Sequence, residues 1–318
     1  MIKKGKNRKN KEKTEELIMY DICIIGAGPA GISSGIYAVS RGMKTIVLEQ
    51  KAVGGLIGKV STVTHYAGII NQETGNTFAQ RMKEQAISAG VEIRMEQVVE
   101  TDLLGEVKKV KTKEQVYEAR TVIIAAGTTP RKLGIEGEET FGGFNAARDG
   151  EKFTGKEIFV VGGADGAIKE ALYLAKFASK LTIIHFEDKL GAIPEFVKKV
   201  EQTENIEVKL HTRLTAIKGQ EYVKEIVLTD EYTKEQEVIK ADGCGIFIYA
   251  GSEPNTALYP QLEKKNGYLV TDECQRTNIK GVYAAGDICE KQVRQVATAV
   301  ADGAVAAIQA AAYVKNLR

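Results

Sequence analysis

No C-x-x-C occurs in this sequence: its four cysteines, Cys23, Cys244, Cys274 and Cys289, stand far apart along 318 residues. That spacing excludes a zinc knuckle and a locally written redox dithiol, and such sparse cysteine fits a reducing, cytoplasmic setting. Histidine is scarce too, and neither His185 nor His211 has a second ligand at metal spacing, so no metal site is expected. No window approaches eighteen uninterrupted apolar residues, and the N-terminus is basic and polar rather than a charged start followed by an apolar stretch. Neither a membrane span nor a secretory signal is expected.

What is present is the composition of an ordinary core-forming chain, 43% hydrophobic and 27% charged, which excludes a disordered or fibrous protein. The length argues for two domains. A net charge of +2 hides an asymmetry, because residues 1–18 carry seven Lys or Arg against three Glu. That run reads as a short, flexible, solvated tail, not as a nucleic-acid or lipid site.

Two segments share one grammar: a β-branched run, a glycine-rich turn, a small-residue helix and another apolar run, which together specify a βαβ unit. The first runs from Tyr20 to Ile25, through Gly26-Ala27-Gly28-Pro29-Ala30-Gly31 and a helix to about Arg41, into Lys44–Leu48 and Glu49. The second runs from Glu157 to Val161, through Gly162-Gly163-Ala164-Asp165-Gly166-Ala167 and a helix to about Phe177, into Lys180–Ile184. An amphipathic helix near Asn76 to Ala89 and paired strand signals from Val91 to Val122 lie between them. Hairpin-like runs to Gly243 follow, and Gln295 to Leu317 reads as a terminal helix.

The expected fold is α/β, with two Rossmann-like, three-layer ββα nucleotide-binding domains, the second inserted in the first. The expected division is a tail at 1–18, one domain from 19–130 plus 250–318, and the other from 131–249. In the first glycine motif, Gly26 permits the tight turn, Gly28 admits a pyrophosphate, Gly31 allows close helix packing, and the helix N-terminus favours the anion. Glu49, eighteen residues after Gly31, is placed for ribose hydroxyls.

From about Met19 the chain resembles the low-molecular-weight thioredoxin reductase family of flavoproteins. The resemblance is carried by Gly26–Gly31, Gly54-Gly55, the run from Ala125 through Gly127 to Ile135, Glu170–Leu174, Pro254-Asn255-Thr256, Gly281–Asp287 and Arg294-Gln295-Val296-Ala297. It implies FAD in the first domain, held by Gly26, Gly28, Pro29, Ala30, Gly31, Glu49, Gly55 and Gly127. Asp287 then lies on the ribityl chain, with Arg294, Gln295 and Ala297 around the ring. A homodimer is implied, and a second domain where that family binds NADPH.

Against that family pattern the sequence departs at several positions. The family's dithiol falls on Asn145-Ala146-Ala147-Arg148, where no cysteine stands, and Asp149 keeps the place of the family's acid. Ala164 replaces the second glycine of the second motif, Asp165 puts negative charge at the helix N-terminus, and the family's phosphate-binding arginines give way to Phe186, Glu187 and Gly191. NADPH is therefore not expected, while Glu187 leaves open NADH, and the vacated cleft leaves open a second flavin. His65, near the implied ring, is a candidate for tuning, proton relay or packing.

The function expected is flavin electron transfer without the family's dithiol, with ferredoxin or another small redox protein as partner. Three alternatives stay open: an NADH-dependent flavin reductase or oxidase, a non-catalytic FAD-binding scaffold or sensor, and a disulfide reductase using Cys274 and Cys289. The candidate catalytic residues are His65, Asp149, Cys274 and Cys289.

Overall fold

The computed structural model describes residues 19–69 and 73–317, so the basic tail at 1–18 lies outside the described residues. Strand β1 (Met19–Ile25) enters a sheet as its central member. Ile22, Cys23 and Ile24 are fully buried, as β-branched and small apolar side chains must be on a strand covered on both faces. Helix α1 (Pro29–Val39) crosses to β2 (Thr45–Leu48), which pairs with β1 in parallel. Helix α2 (Gly75–Ser88) leads to β3 (Glu92–Arg94), which lies parallel on the outer side of β2.

The chain then crosses to the other side of β1 as β4 (Val98–Asp102), β5 (Lys108–Thr112) and β6 (Val116–Ile124), an antiparallel meander whose last strand runs parallel to β1. The sheet order is β3-β2-β1-β6-β5-β4. Thus β3 does not join the hairpins expected over 91–122; it belongs to the parallel side.

Strand β7 (Thr128–Pro130) leads out of this sheet, and two one-turn helices follow, α3 (Glu138–Phe141) and α4 (Ala146–Asp149). A second parallel sheet, of order β10-β9-β8-β14, is built from β8 (Glu157–Val161), α5 (Asp165–Leu174), β9 (Lys180–Ile184), α6 (Pro194–Glu201) and β10 (Ile206–Lys209). It is completed by β14 (Gly245–Ile248) after an antiparallel trio, β11 (Thr212–Gly219), β12 (Val223–Asp230) and β13 (Gln236–Lys240).

The return strand β15 (Ser252–Pro254) pairs antiparallel with β7, so the outgoing and returning connections lie side by side. A short ribbon of β16 (Lys264–Lys265) and β17 (Tyr268–Leu269) follows. Then β18 (Val282–Ala284) joins the first sheet beside the C-terminal half of β6.

The last element, α7 (Val296–Lys315), passes the length and composition test for a membrane span, as a core helix can. Its fold position gives it another role. Ala299, Ala306, Ala307, Ala310 and Ala311 are buried, and the hydroxyls of Ser33 and Ser34 on α1 donate to the carbonyls of Val300 and Gly303 at 2.7 and 3.0 Å. Small side chains and hydroxyls let two helices approach at backbone distance, and this pair covers one face of the first sheet.

Candidate active site

The first glycine turn is built for close approach. Gly26 has φ +104°, and a Cβ on Gly31 would stand 1.8 Å from the Gly26 carbonyl oxygen, so only glycine closes the turn. Gly28 precedes α1 in extended conformation and Pro29 opens the helix, whose first turn carries no acidic residue. Glu49 braces the turn: its two carboxylate oxygens accept from the amides of Ala27 and Lys51, each at 2.8 Å.

Above this turn opens a cleft of about 790 Å³. Gly26, Gly28, Pro29, Ala30, Glu49 and Gly55 line it, and so do Gly127 after β6, Asp287 after β18, and Arg294 and Gln295 just before α7. Gly31 does not line it and serves the turn instead. Asp287 is largely buried, its carboxyl raised by loss of water and partly brought back by Lys291 and Arg294. One of its oxygens, Oδ1, has no hydrogen-bond partner. The Arg294 guanidinium sits 3.9 Å from the centre of the Tyr268 ring and donates to the Cys289 carbonyl at 3.2 Å. Asp302, which carried no motif signal, fixes the turn before Asp287: its Oδ2 accepts from the Gly286 amide at 3.0 Å and from Lys291 Nζ.

A smaller cavity of about 260 Å³ adjoins the cleft, sharing Ile57, Lys169, Arg294, Gln295 and Val296 with it. His65 and Ala297 line this adjoining cavity beside Arg294 and Gln295. His65 has φ +57°, and its ring centre lies 5.7 Å from that of Phe196, with Glu195 3.7 Å from its Nε2.

Three further contacts tie the same stretch, residues 59–62, to the elements around the second sheet. Asn145 Nδ2 donates to the Lys59 carbonyl at 2.8 Å, the Ser61 amide donates to Glu170 Oε1 at 3.1 Å, and Lys169 Nζ donates to the Thr62 carbonyl at 2.9 Å. Burial lowers the pKa of Lys169, opposed by Glu170. Burial raises that of Glu170, opposed by Lys169 and Ser61.

The second glycine turn is filled from within. The His185 ring packs so close to Gly163 that a Cβ there would stand 2.6 Å from it, and His185 Nε2 lies 3.1 Å from Glu187 Oε2. Asp165 Oδ1 accepts from the Ile193 amide at 2.8 Å, drawing the segment after β9 back to the start of α5. Neither cavity is lined by Gly162, Gly163, Ala164 or Glu187.

Asp149 is nearly sealed from water and committed on all sides: to Arg148 Nη2 and Lys152 Nζ, each at 2.7 Å, and to the Asn145 amide at 2.9 Å. Hydrogen bonds from Arg148 and Lys152 hold its carboxyl well below the usual range, so it is a carboxylate that closes a turn. The candidate pair Cys274 and Cys289 is not joined: both thiols are free, and burial pushes Cys289 up to about 12. Neither lines the cleft or the cavity.

Comparison with known proteins places this geometry among relatives. The family model described as pyridine nucleotide-disulphide oxidoreductase matches residues 20–303. Thioredoxin reductase of Peptoclostridium acidaminophilum is 39% identical over 311 residues, covering 93% of this chain and 98% of the relative. Among solved structures, Lactococcus lactis thioredoxin reductase in its FR conformation superposes with a TM-score of 0.89 at 35% identity, over 93% of this chain and 99% of that one. A ferredoxin-flavin thioredoxin reductase from Clostridium acetobutylicum gives 0.53 at 28% identity, over 94% and 99%.

Proposed function

The chain belongs to the pyridine nucleotide-disulphide oxidoreductase family as a thioredoxin reductase-like FAD oxidoreductase, and we propose that it passes electrons through FAD without the dithiol and without NADPH. The observation that carries this reading is that no cysteine lines the cleft or the adjoining cavity. Disulfide exchange needs a thiolate within reach of the reduced cofactor; Cys23, Cys244 and Cys289 are buried, and the half-buried Cys274 lines neither space.

The residues present fit the cofactor. No atom lies within 4 Å of where a Cβ on Gly28 would stand, which leaves room for a pyrophosphate against the backbone, and the unpartnered Asp287 oxygen is ready to accept from a hydroxyl. In this reading Gly26, Gly28, Pro29, Ala30 and Gly55 cradle the phosphates at the N-terminus of α1. Gly127 and Asp287 take the sugar-alcohol chain, and Arg294 and Gln295 meet the ring at the start of α7. Bound FAD supplies reversible uptake and release of two electrons. The chain's own part is to exclude water from the ring, present donors to it and leave one edge open to a partner.

The domain that delivers NADPH in the family, taken here as 131–249 within an FAD domain of 19–130 plus 250–318, is read as degenerate. Its glycine turn is occupied by the chain's own His185 and its helix N-terminus by Asp165. The donor that fits this reading is a small redox protein such as ferredoxin, a word that also stands in the name of the Clostridium acetobutylicum relative. The names of other relatives favour a second reading, thioredoxin reduction. A homodimer is proposed by likeness to the family.

The deciding experiment is an anaerobic spectrum of the purified protein with flavin counted per chain, followed by separate additions of reduced ferredoxin, NADPH and NADH. Bleaching by ferredoxin alone is expected. Bleaching by NADPH followed by reduction of added thioredoxin would replace the reading, bleaching by NADH would install the flavin reductase alternative, and two flavins per chain would mark a second cofactor site.

A further inference from the structure

We infer that Lys169 is an electrostatic tuning residue, which carries a positive charge from the second sheet's unit to the ring end of the FAD cleft. The inference rests on the reading of that cleft as the FAD site. Lys169 lies on α5 and lines both the cleft and the smaller cavity, in the company of Arg294, Gln295 and Val296, where the ring is read to sit. Its side chain is 18% exposed, and its ammonium is held by the Thr62 carbonyl at 2.9 Å.

Its counter-charge stands behind it. Glu170 Oε1 is 3.7 Å from Lys169 Nζ, is held by the Ser61 amide and lines neither space. The pair is therefore a dipole with its positive end toward the cleft. Lys169 is mostly buried, so its charge is screened less than that of an exposed lysine. Reduction adds negative charge to the ring, so the ammonium favours the reduced form. Arg294 is the other cation shared by the two spaces, but it belongs to the first sheet's unit and stays with the ring. Lys169 and Glu170 come from the other unit, so the electron affinity of the cofactor depends on how that unit is seated against residues 59–65.

The test is the midpoint potential of the bound flavin in the wild-type holoprotein and in Lys169→Gln, Lys169→Arg and Glu170→Gln, with flavin content measured for each. Lys169→Gln is expected to shift the oxidised-to-reduced ratio at a fixed solution potential roughly tenfold toward oxidised flavin, from the loss of one nearby unit charge. Lys169→Arg should keep the wild-type value, and Glu170→Gln should shift it the opposite way, toward reduced flavin. A Lys169→Gln protein that holds FAD at the wild-type potential overturns the inference. Should that variant not fold, a Glu170→Gln potential equal to wild type overturns it equally. A wild-type chain that binds no FAD instead overturns the function reading, a separate outcome seen at the flavin count before any potential is measured.

Discussion

His185 and Gly163 are in direct contact: the imidazole of a residue just past β9 fills the space that a side chain at the second glycine turn would need. The glycine is thus retained for the chain's own ring, and the turn that would meet a dinucleotide is packed from inside. Replacing Gly163 with Ala should lower stability by about 1–3 kcal/mol through overpacking. In the double variant with His185→Ala the loss should be smaller than the sum of the two single losses, read by denaturant unfolding as a double-mutant cycle. Additive losses would mean that the contact contributes nothing.

Asp149 separates a structural carboxylate from an acid catalyst. Its folded carboxyl lies below the ordinary value, so its stabilisation is present in full above the usual carboxylate range and is lost as pH falls through the folded value. Asp149→Asn should lower the melting temperature at neutral pH, with a smaller difference from wild type below about pH 4. The rate of flavin reduction by ferredoxin should stay within about twofold of wild type, because the carboxylate faces Arg148 and Lys152. A loss of rate with unchanged melting would restore Asp149 as a catalytic group.

Asp287 has a buried oxygen with no partner, and in the FAD reading a cofactor hydroxyl supplies it. Asp287→Ala removes a charge-assisted hydrogen bond of about 1.5–3 kcal/mol, which corresponds to roughly ten- to hundredfold weaker FAD binding. Fluorescence titration of apoprotein with FAD measures it. Circular dichroism should show the fold intact, since no other residue depends on that oxygen.

The thiols provide the sharpest contrast with disulfide chemistry. Titration of the denatured protein should count four thiols per chain both before and after reduction, and a Cys274→Ser, Cys289→Ala double variant should keep the electron-transfer rate within about twofold. Two thiols appearing only on reduction, together with loss of rate in the variant, would revive the pair as a redox centre.

The sequence by itself determined the parts whose cause is local. Glycines at Gly26, Gly28 and Gly31 between a β-branched strand and a small-residue helix admit one turn only, because a Cβ at the third would strike the first. The same grammar located β8, α5 and β9, whereas Asp287, Arg294 and Gln295 were marked only through the family resemblance. Helix α6 escaped it, being eight residues long and opened by proline after an ordinary isoleucine. Only the tertiary structure decided what faces what. Lys169 and Glu170 reach residues 61 and 62 across more than a hundred positions of chain, His185 folds onto Gly163, and Asp302 holds the amide of Gly286. Each is a single polar or ring contact made between residues distant in sequence, and those of Lys169 and Glu170 depend on where the second sheet comes to rest against residues 59–65. No spacing along the chain encodes that position.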